Sequence, residues 1–251
     1  MQEYTPEEKK LLEDMSVVIM SPITLSDALP KWFQCSVNMV AHSWQHGLKI
    51  YEFGHTYRQV VDWARNELAR AVKEYVNPVT GKKFSHVLWL DSDHTFNPDL
   101  ACHLARHMVN PEVDAVSAVY YNRTGPTLPV VYVKDFNEDR YKHFPLIWPP
   151  DGLFECDAVG FGAILMKRDV FDRVPEPWFT LDYRSGEDIA FCVKAKEHGV
   201  RFFVDGNYTL GHIGEGKIIT KKDYLQHLED NKEKYKDKIK VTLGGKPHAG
   251  S

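Results

Sequence analysis

Apolar residues along this chain fall into two alternating patterns. Short, nearly unbroken apolar runs are separated by longer stretches in which apolar side chains return every three or four residues. The first pattern marks buried strands and the second amphipathic helices. Ser16–Met20 predicts a strand ended by Ser21-Pro22, since proline cannot continue a ladder. After Pro30 a helix runs to about His46, and Gly47 stops it. Leu48–Phe53 is the next strand, ended by Gly54. Arg58–Tyr75 places Val61, Ala64, Leu68, Ala71, Val72 and Tyr75 at helical spacing. His86–Leu90 is apolar almost throughout, as in the buried centre of a parallel sheet. Asp99–Met108 predicts a helix and Asp114–Tyr120 a strand. Strands alternating with helices in this order predict an α/β protein whose sheet carries helices on both faces.

The second half is less regular. Asn122–Pro129 reads as loop, and Asp135–Gly152, rich in aromatics, proline and charge, as an excursion from the core. Ala158–Lys167 is a strand interrupted by Gly160 and Gly162. Gly186–His198 is a helix closed by Gly199, Val200–Val204 a strand, and Lys221 to Lys236 a very polar helix expected to pack loosely. Neither a linker nor an internal repeat interrupts the 251 residues, so one domain is expected.

Composition narrows the function classes. With 43% hydrophobic and 26% charged residues the chain is an ordinary soluble globular protein, and its net charge of −4 excludes a basic nucleic-acid binder by composition. The charge is uneven, with nine Lys against six acids from Ile213 onward. A solvated charged helix is the plain reading of that excess, and contact with a polyanion the alternative. Four cysteines without CxxC spacing argue against a zinc ribbon or a disulfide scaffold. Met1–Asp14 has no apolar signal core, and no apolar run approaches the roughly 20 residues of a membrane span, so a soluble, cytoplasmic protein is expected.

Three places carry chemistry. The strand ending at Leu90 runs directly into Asp91-Ser92-Asp93-His94. Ligands of open α/β sheets bind beyond the carboxyl ends of the strands, and residues two apart in extended chain face the same way. Paired carboxylates there suit magnesium or manganese together with a diphosphate, against the plainer reading of two loop-capping acids. Arg65 stands in the apolar stripe of Val61, Leu68 and Val72. It needs an anion, either a neighbouring acid or a phosphate that its guanidinium fork would grip. Ser185-Gly186-Glu187-Asp188 opens the helix that follows. Acids there stabilise a helix start in any case, while Asp188 is equally placed to act as a general base.

Taken in order, Arg65-Asn66, Leu90–Asp93, Asp157–Phe171, Trp178-Phe179, Gly186–Asp188 and Gly211–Gly214 resemble family-2-like glycosyltransferases of the GT-A fold, bacteriophage-type members included. The resemblance implies a Rossmann-like nucleotide-binding sheet fused to an acceptor-binding half. Its bounds would be a donor half of about 16–121 and an acceptor half of about 122–214, within a single domain 1–214 followed by a polar C-terminal helix and tail at 215–251. It further implies that Asp91 lies near the ribose and the metal, that Asp93 and His212 ligate the metal, and that Arg65 approaches the donor's phosphates. Asp188 corresponds to the base of inverting members, and Glu187 would hold the acceptor. Gly160 and Gly162 match a turn where donor or acceptor nears the backbone, and Ser21 and Pro22, with the residues to Thr24, fall where the nucleotide base is contacted.

The implied activity is metal-dependent transfer of a sugar from a nucleoside diphosphate sugar, a UDP-sugar with Mn2+ or Mg2+ above all, to an acceptor hydroxyl with inversion. The acceptor is left between a glycan, a small molecule and a hydroxymethylated DNA base. The Lys-bearing tail and Phe136, Tyr141, Phe144 and Trp148 are compatible with the last. A nucleotidyltransferase of related fold is the first alternative, although Ser21–Pro30 lacks the glycine-rich loop expected after its first strand. A non-catalytic nucleotide- or glycan-binding module is the other.

Overall fold

A computed structural model describes residues 4–23, 28–134, 143–181 and 186–236. In chain order its first half comprises α1 (Pro6–Asp14), β1 (Ser16–Ile23), α2 (Leu29–Gln45), β2 (Lys49–Tyr57), α3 (Val61–Glu74), β3 (His86–Leu90), β4 (His94–Thr95), α4 (Leu100–Ala105) with a 3₁₀ turn at Arg106–Val109, and β5 (Ala115–Val119). There follow β6 (Val131–Lys134), β7 (His143–Pro145), β8 (Leu153–Cys156), β9 (Ala158–Val159), β10 (Ala163–Lys167), α5 (Val170–Arg173) and α6 (Glu187–Glu197). The chain then forms β11 (Phe202–Thr209), β12 (Gly211–Ile213), β13 (Ile218–Ile219), α7 (Lys221–Asp230) and α8 (Lys232–Tyr235).

A seven-stranded mixed sheet runs in the order β2-β1-β3-β10-β5-β11-β8. β1 pairs in parallel with β2 and β3, and β11 in parallel with β5. β10 lies antiparallel between β3 and β5, and β8 antiparallel at the far edge. Both faces are dry. On β3, Val87 and Trp89 join the core shared with α3, α5 and α6, while Leu88 and Leu90 join the core shared with α1, α2 and α4. That alternation explains why β3 is apolar at successive positions. Two three-stranded sheets, β13-β12-β4 and β7-β6-β9, stand beside the main one.

Three strands run past their expected ends, β11 reaching Thr209 rather than Val204. β1 continues to Ile23, with Pro22 opposite Thr56, because beyond Met20 it keeps only β2 as a neighbour. A missing N–H is tolerated where one side of a strand has no ladder. β2 runs through Gly54 to Tyr57, since a Cβ at Gly54 would stand 2.4 Å from the Met20 sulfur of the adjacent strand. The glycine makes room for a core side chain rather than ending the strand. Helix α3 starts three residues later than its apolar spacing suggests, because Arg58 takes φ 55° to turn the chain out of β2. The polar C-terminal helix is not loosely packed: Tyr224, Leu228 and Tyr235 are buried, and the Tyr224 hydroxyl donates to the Ile147 carbonyl at 2.5 Å. Thr24, Phe136, Tyr141, Ser185 and the Lys-bearing tail beyond residue 236 lie outside the described residues. Among the described residues no helix is long and apolar enough to cross a membrane.

Candidate active site

At the carboxyl ends of β1 and β3 a cavity of ≈ 210 Å³ is lined by Arg65, Asp91, Asp93, Arg123, Glu187 and Asp188, among others. This is where an open α/β sheet places its ligands. The floor is set by the buried Arg65, 2% exposed. Its Nη2 donates to both oxygens of Asp91, at 2.9 and 3.1 Å, and its Nε donates to Glu187 Oε1 at 2.8 Å. Trp89, Phe161 and Phe179 hold their rings 5.3–6.0 Å from the guanidinium carbon. The charge is thus fixed by acids on two sides and by aromatic faces on others. Nη1 alone is buried without a hydrogen-bond partner. Burial pushes the Asp91 carboxyl up, Arg65 opposes that, and Asp93 adds repulsion.

Asp93 looks the other way. Its Oδ1 lies 2.9 Å from His94 Nδ1, and its Oδ2 2.6 Å from Arg123 Nη1 and 3.5 Å from His212 Nε2. The two imidazoles stack, with centroids 4.4 Å apart and planes 14° from parallel. Strand pairing brings them together, since β12 sets His212 opposite His94 of β4. His212 Nδ1 lies 2.8 Å from the Tyr121 carbonyl oxygen, which only accepts. Nδ1 therefore carries a proton and donates to that carbonyl, and Nε2 is the ring atom that faces Asp93. Both ring nitrogens of His94 are buried without a hydrogen-bonded partner, although Nδ1 is close to Asp93. Burial works against charge on Asp93, but His212 and His94 outweigh it and hold the carboxyl well below its usual range. Asp93, His94 and His212 offer three ligand atoms within 4.8 Å of one another, a donor set that fits a divalent ion.

Asp188 lies on the first turn of α6 beside Glu187, and burial, reinforced by that neighbour, raises its carboxyl to about 6. Among the described residues no side chain caps this helix start: the N-cap is Gly186, and Asp188 Oδ1 accepts the next backbone N–H, that of Ile189, at 2.8 Å.

Residues 55–174, which include Arg65, Asp91, Asp93, His94 and Arg123, match the model of glycosyl transferase family 2. The chain is a family-2-like glycosyltransferase of the GT-A fold. Among solved structures, A197 from STIV aligns with this glycosyltransferase at a TM-score of 0.54 and 18% identity, over 82% of this chain and 93% of that one. GalNAc-T7, solved with UDP, GalNAc and Mn2+, aligns at a TM-score of 0.47 and 14% identity, over 89% of this chain and 50% of that one. No curated protein matches the sequence.

Of the residues singled out in the sequence, Pro22, Arg65, Asp91, Asp93, Glu187 and Asp188 line one cavity, with His212 beside Asp93. Ser21 is turned away, its hydroxyl donating to the Leu90 carbonyl at 2.5 Å. The glycines serve side chains of the protein. A Cβ on Gly160 would stand 1.8 Å from the Tyr120 hydroxyl, and one on Gly162 2.7 Å from His94 Nε2. Gly162 also fixes the acidic turn, its carbonyl accepting the Asp91 N–H at 3.1 Å. Two residues of the site escaped the sequence analysis. His94 was hidden because only the non-local pairing of β4 with β12 shows where it faces. Arg123 sits in a stretch read simply as loop, although it follows a strand whose carboxyl end points to the site. Its Nη1 also donates to the Ile213 carbonyl at 3.1 Å.

Proposed function

We propose that this glycosyltransferase moves a sugar from a nucleoside diphosphate sugar, a UDP-sugar foremost, to an acceptor hydroxyl, with inversion at the anomeric carbon and in dependence on a divalent cation. The observation that carries this reading is the charge of the cavity. Among the described residues that line it, Asp91, Asp93, Glu187 and Asp188 face two cations, Arg65 and Arg123. A diphosphate entering a net negative pocket requires added positive charge, and Asp93, His94 and His212 are the residues that would hold a divalent ion, Mn2+ or Mg2+. When bound, the ion would neutralise charge developing on the diphosphate leaving group. Arg65 lines the same cavity, where it would approach the donor's phosphates, and Asp91, clamped by it, would lie near the ribose and the metal.

Asp188 then serves as general base. Its carboxylate takes the proton of the acceptor hydroxyl, the new bond forms between that oxygen and the anomeric carbon, and the diphosphate oxygen departs with its electron pair. Glu187, tied to Arg65, lies beside the base and positions the acceptor. Hydroxymethylated DNA, glycans and small molecules remain the acceptor classes to screen.

The test is hydrolysis of a panel of nucleotide sugars with Mn2+ or EDTA, for the native chain and Asp93→Ala. Slow turnover of one donor, abolished by EDTA and by the substitution, is expected. Failure of every donor to be turned over or to raise the melting temperature with Mn2+ would overturn the assignment and favour a non-catalytic binding module.

A further inference from the structure

On the far side of β5 and β11 from the aromatic core around Arg65, a second group of metal-ligating side chains converges. His103 on α4 and His107 on the 3₁₀ turn that follows are one helical repeat apart, so both rings leave the same side of the element. Both Nε2 atoms lie 2.7 Å from a single oxygen, Asp205 Oδ2 on β11. Asp205 is 1% exposed, whereas the two histidine side chains are 11% and 14% exposed, which leaves an approach from solvent. The remaining carboxylate oxygen, Oδ1, is occupied by the Asn207 N–H at 2.9 Å. His103 packs on the Tyr208 ring at 4.4 Å, and the Tyr208 hydroxyl donates to Asp99 Oδ1 at 2.6 Å. The carboxylate is therefore oriented from behind by a hydrogen bond, as ligating carboxylates are, and the His103 ring is held by packing on Tyr208.

We propose that His103, His107 and Asp205 form a transition-metal site, separate from the donor cavity, that takes Zn2+ through two imidazoles and one carboxylate and keeps a position open to solvent. Two imidazoles and a carboxylate suit zinc better than magnesium or calcium, which favour all-oxygen sets. The three ligand atoms lie within 4.8 Å of one another. In a tetrahedral zinc site ligand atoms stand about 3.4 Å apart, so each 2.7 Å contact opens by roughly 0.7 Å to admit the ion. Each ring keeps one proton, moved from Nε2 to Nδ1, and two metal–nitrogen bonds replace two N–H···O contacts. The Arg106 guanidinium, 3.8 Å from the same oxygen, balances the carboxylate without the ion and has solvent to retreat into. The β11–β5 register shifts between Asp205 and Thr209, just before the chain reaches β12 and His212. Zinc here clips that irregular stretch to the helical turn carrying His107.

The test uses the full chain as Asp93→Ala/His212→Ala, which removes two ligands of the donor-site cluster, titrated with Zn2+ and with Co2+. One equivalent of each is expected, with a visible cobalt absorption band and a rise in melting temperature. Adding His103→Gln/His107→Gln abolishes both signals, while near-ultraviolet circular dichroism stays unchanged because glutamine amides still donate to Asp205. Should that variant fail to fold, His107→Gln alone weakens binding by at least about tenfold. Absence of the band and of the melting shift before the histidines are changed overturns the proposal, as does an equivalent that survives their loss. Nucleotide and sugar take no part, so a failed transferase reading leaves this result untouched.

Discussion

Asp188 is a carboxyl whose surroundings disfavour its charge, and that has consequences in two directions. As a base it works only when ionised, so kcat/KM is expected to fall about tenfold per pH unit below about 6. Asp188→Asn should remove transfer while leaving the donor-induced melting shift in place. An acid limb centred near 4, or a variant that retains its rate, would move the base elsewhere. For stability the sign is reversed. The folded chain holds this proton more tightly than the unfolded chain does, so between about pH 4 and 6 the group's contribution falls as pH rises. Arg65, Asp91 and Asp93 stand out in the sequence because each breaks a local rule: a charge in an apolar stripe, acids abutting a buried strand. Asp188, at a helix start where acids are ordinary, stands out only through the ordered resemblance. His94 and Arg123 break none, and only the tertiary pairing shows their use.

Between elements, Asp114, just before β5, is a joint for several neighbours. Its carboxylate accepts from Arg173 Nη2 at 2.8 Å and from the Arg201 backbone N–H at 3.0 Å, with Lys167 Nζ at 3.4 Å. It thus fastens β10, α5 and the start of β11 to one strand end. Burial opposes its charge, but Arg173 and the Arg201 amide outweigh that and hold the carboxyl below its ordinary value. The stabilisation is present at neutral pH and lost as pH falls below about 4. Asp114→Asn is expected to cost about 2 kcal/mol at pH 7, with a gap in melting temperature that closes toward pH 3. A gap independent of pH would mean that packing, not charge, is what the substitution disturbs. The elements themselves were readable from periodicity, and their ends were not. Pro22 and Gly54 signal a stop in isolation, but β1 and β2 absorb both, one by lacking a neighbour and the other by yielding its Cβ space to Met20.

At the scale of the molecule, residues 215–236 belong to the body. β13 pairs with β12, which carries His212, and Tyr224 stacks on Tyr121 with centroids 4.8 Å apart. Ending the chain after Gly214 would strip Tyr224, Leu228 and Tyr235 from the core, each worth roughly 1.5–3 kcal/mol of burial. Such a truncation is expected to lose much of its thermal stability and all transfer activity, measured by calorimetry and donor hydrolysis. A truncated chain that melts like the parent would return this segment to the status of an appendage. Polarity misleads here because three aromatic or aliphatic side chains among many charges suffice to seat a helix.

The place of β10 governs the order in which this protein can be made. β3 and β5 are not neighbours; each reaches the other only through β10, which is synthesised more than forty residues after β5 begins. A nascent chain that has emerged only as far as β5 therefore holds a three-stranded parallel piece and a lone strand with no partner in it. Residues 16–121 thus have no closed sheet of their own, and their pairing waits for β10. Distant pairing of this kind slows folding and leaves strand edges bare meanwhile. The sheet that carries the cavity is therefore completed only once β10 has been made, and a fragment ending before it is expected not to fold by itself.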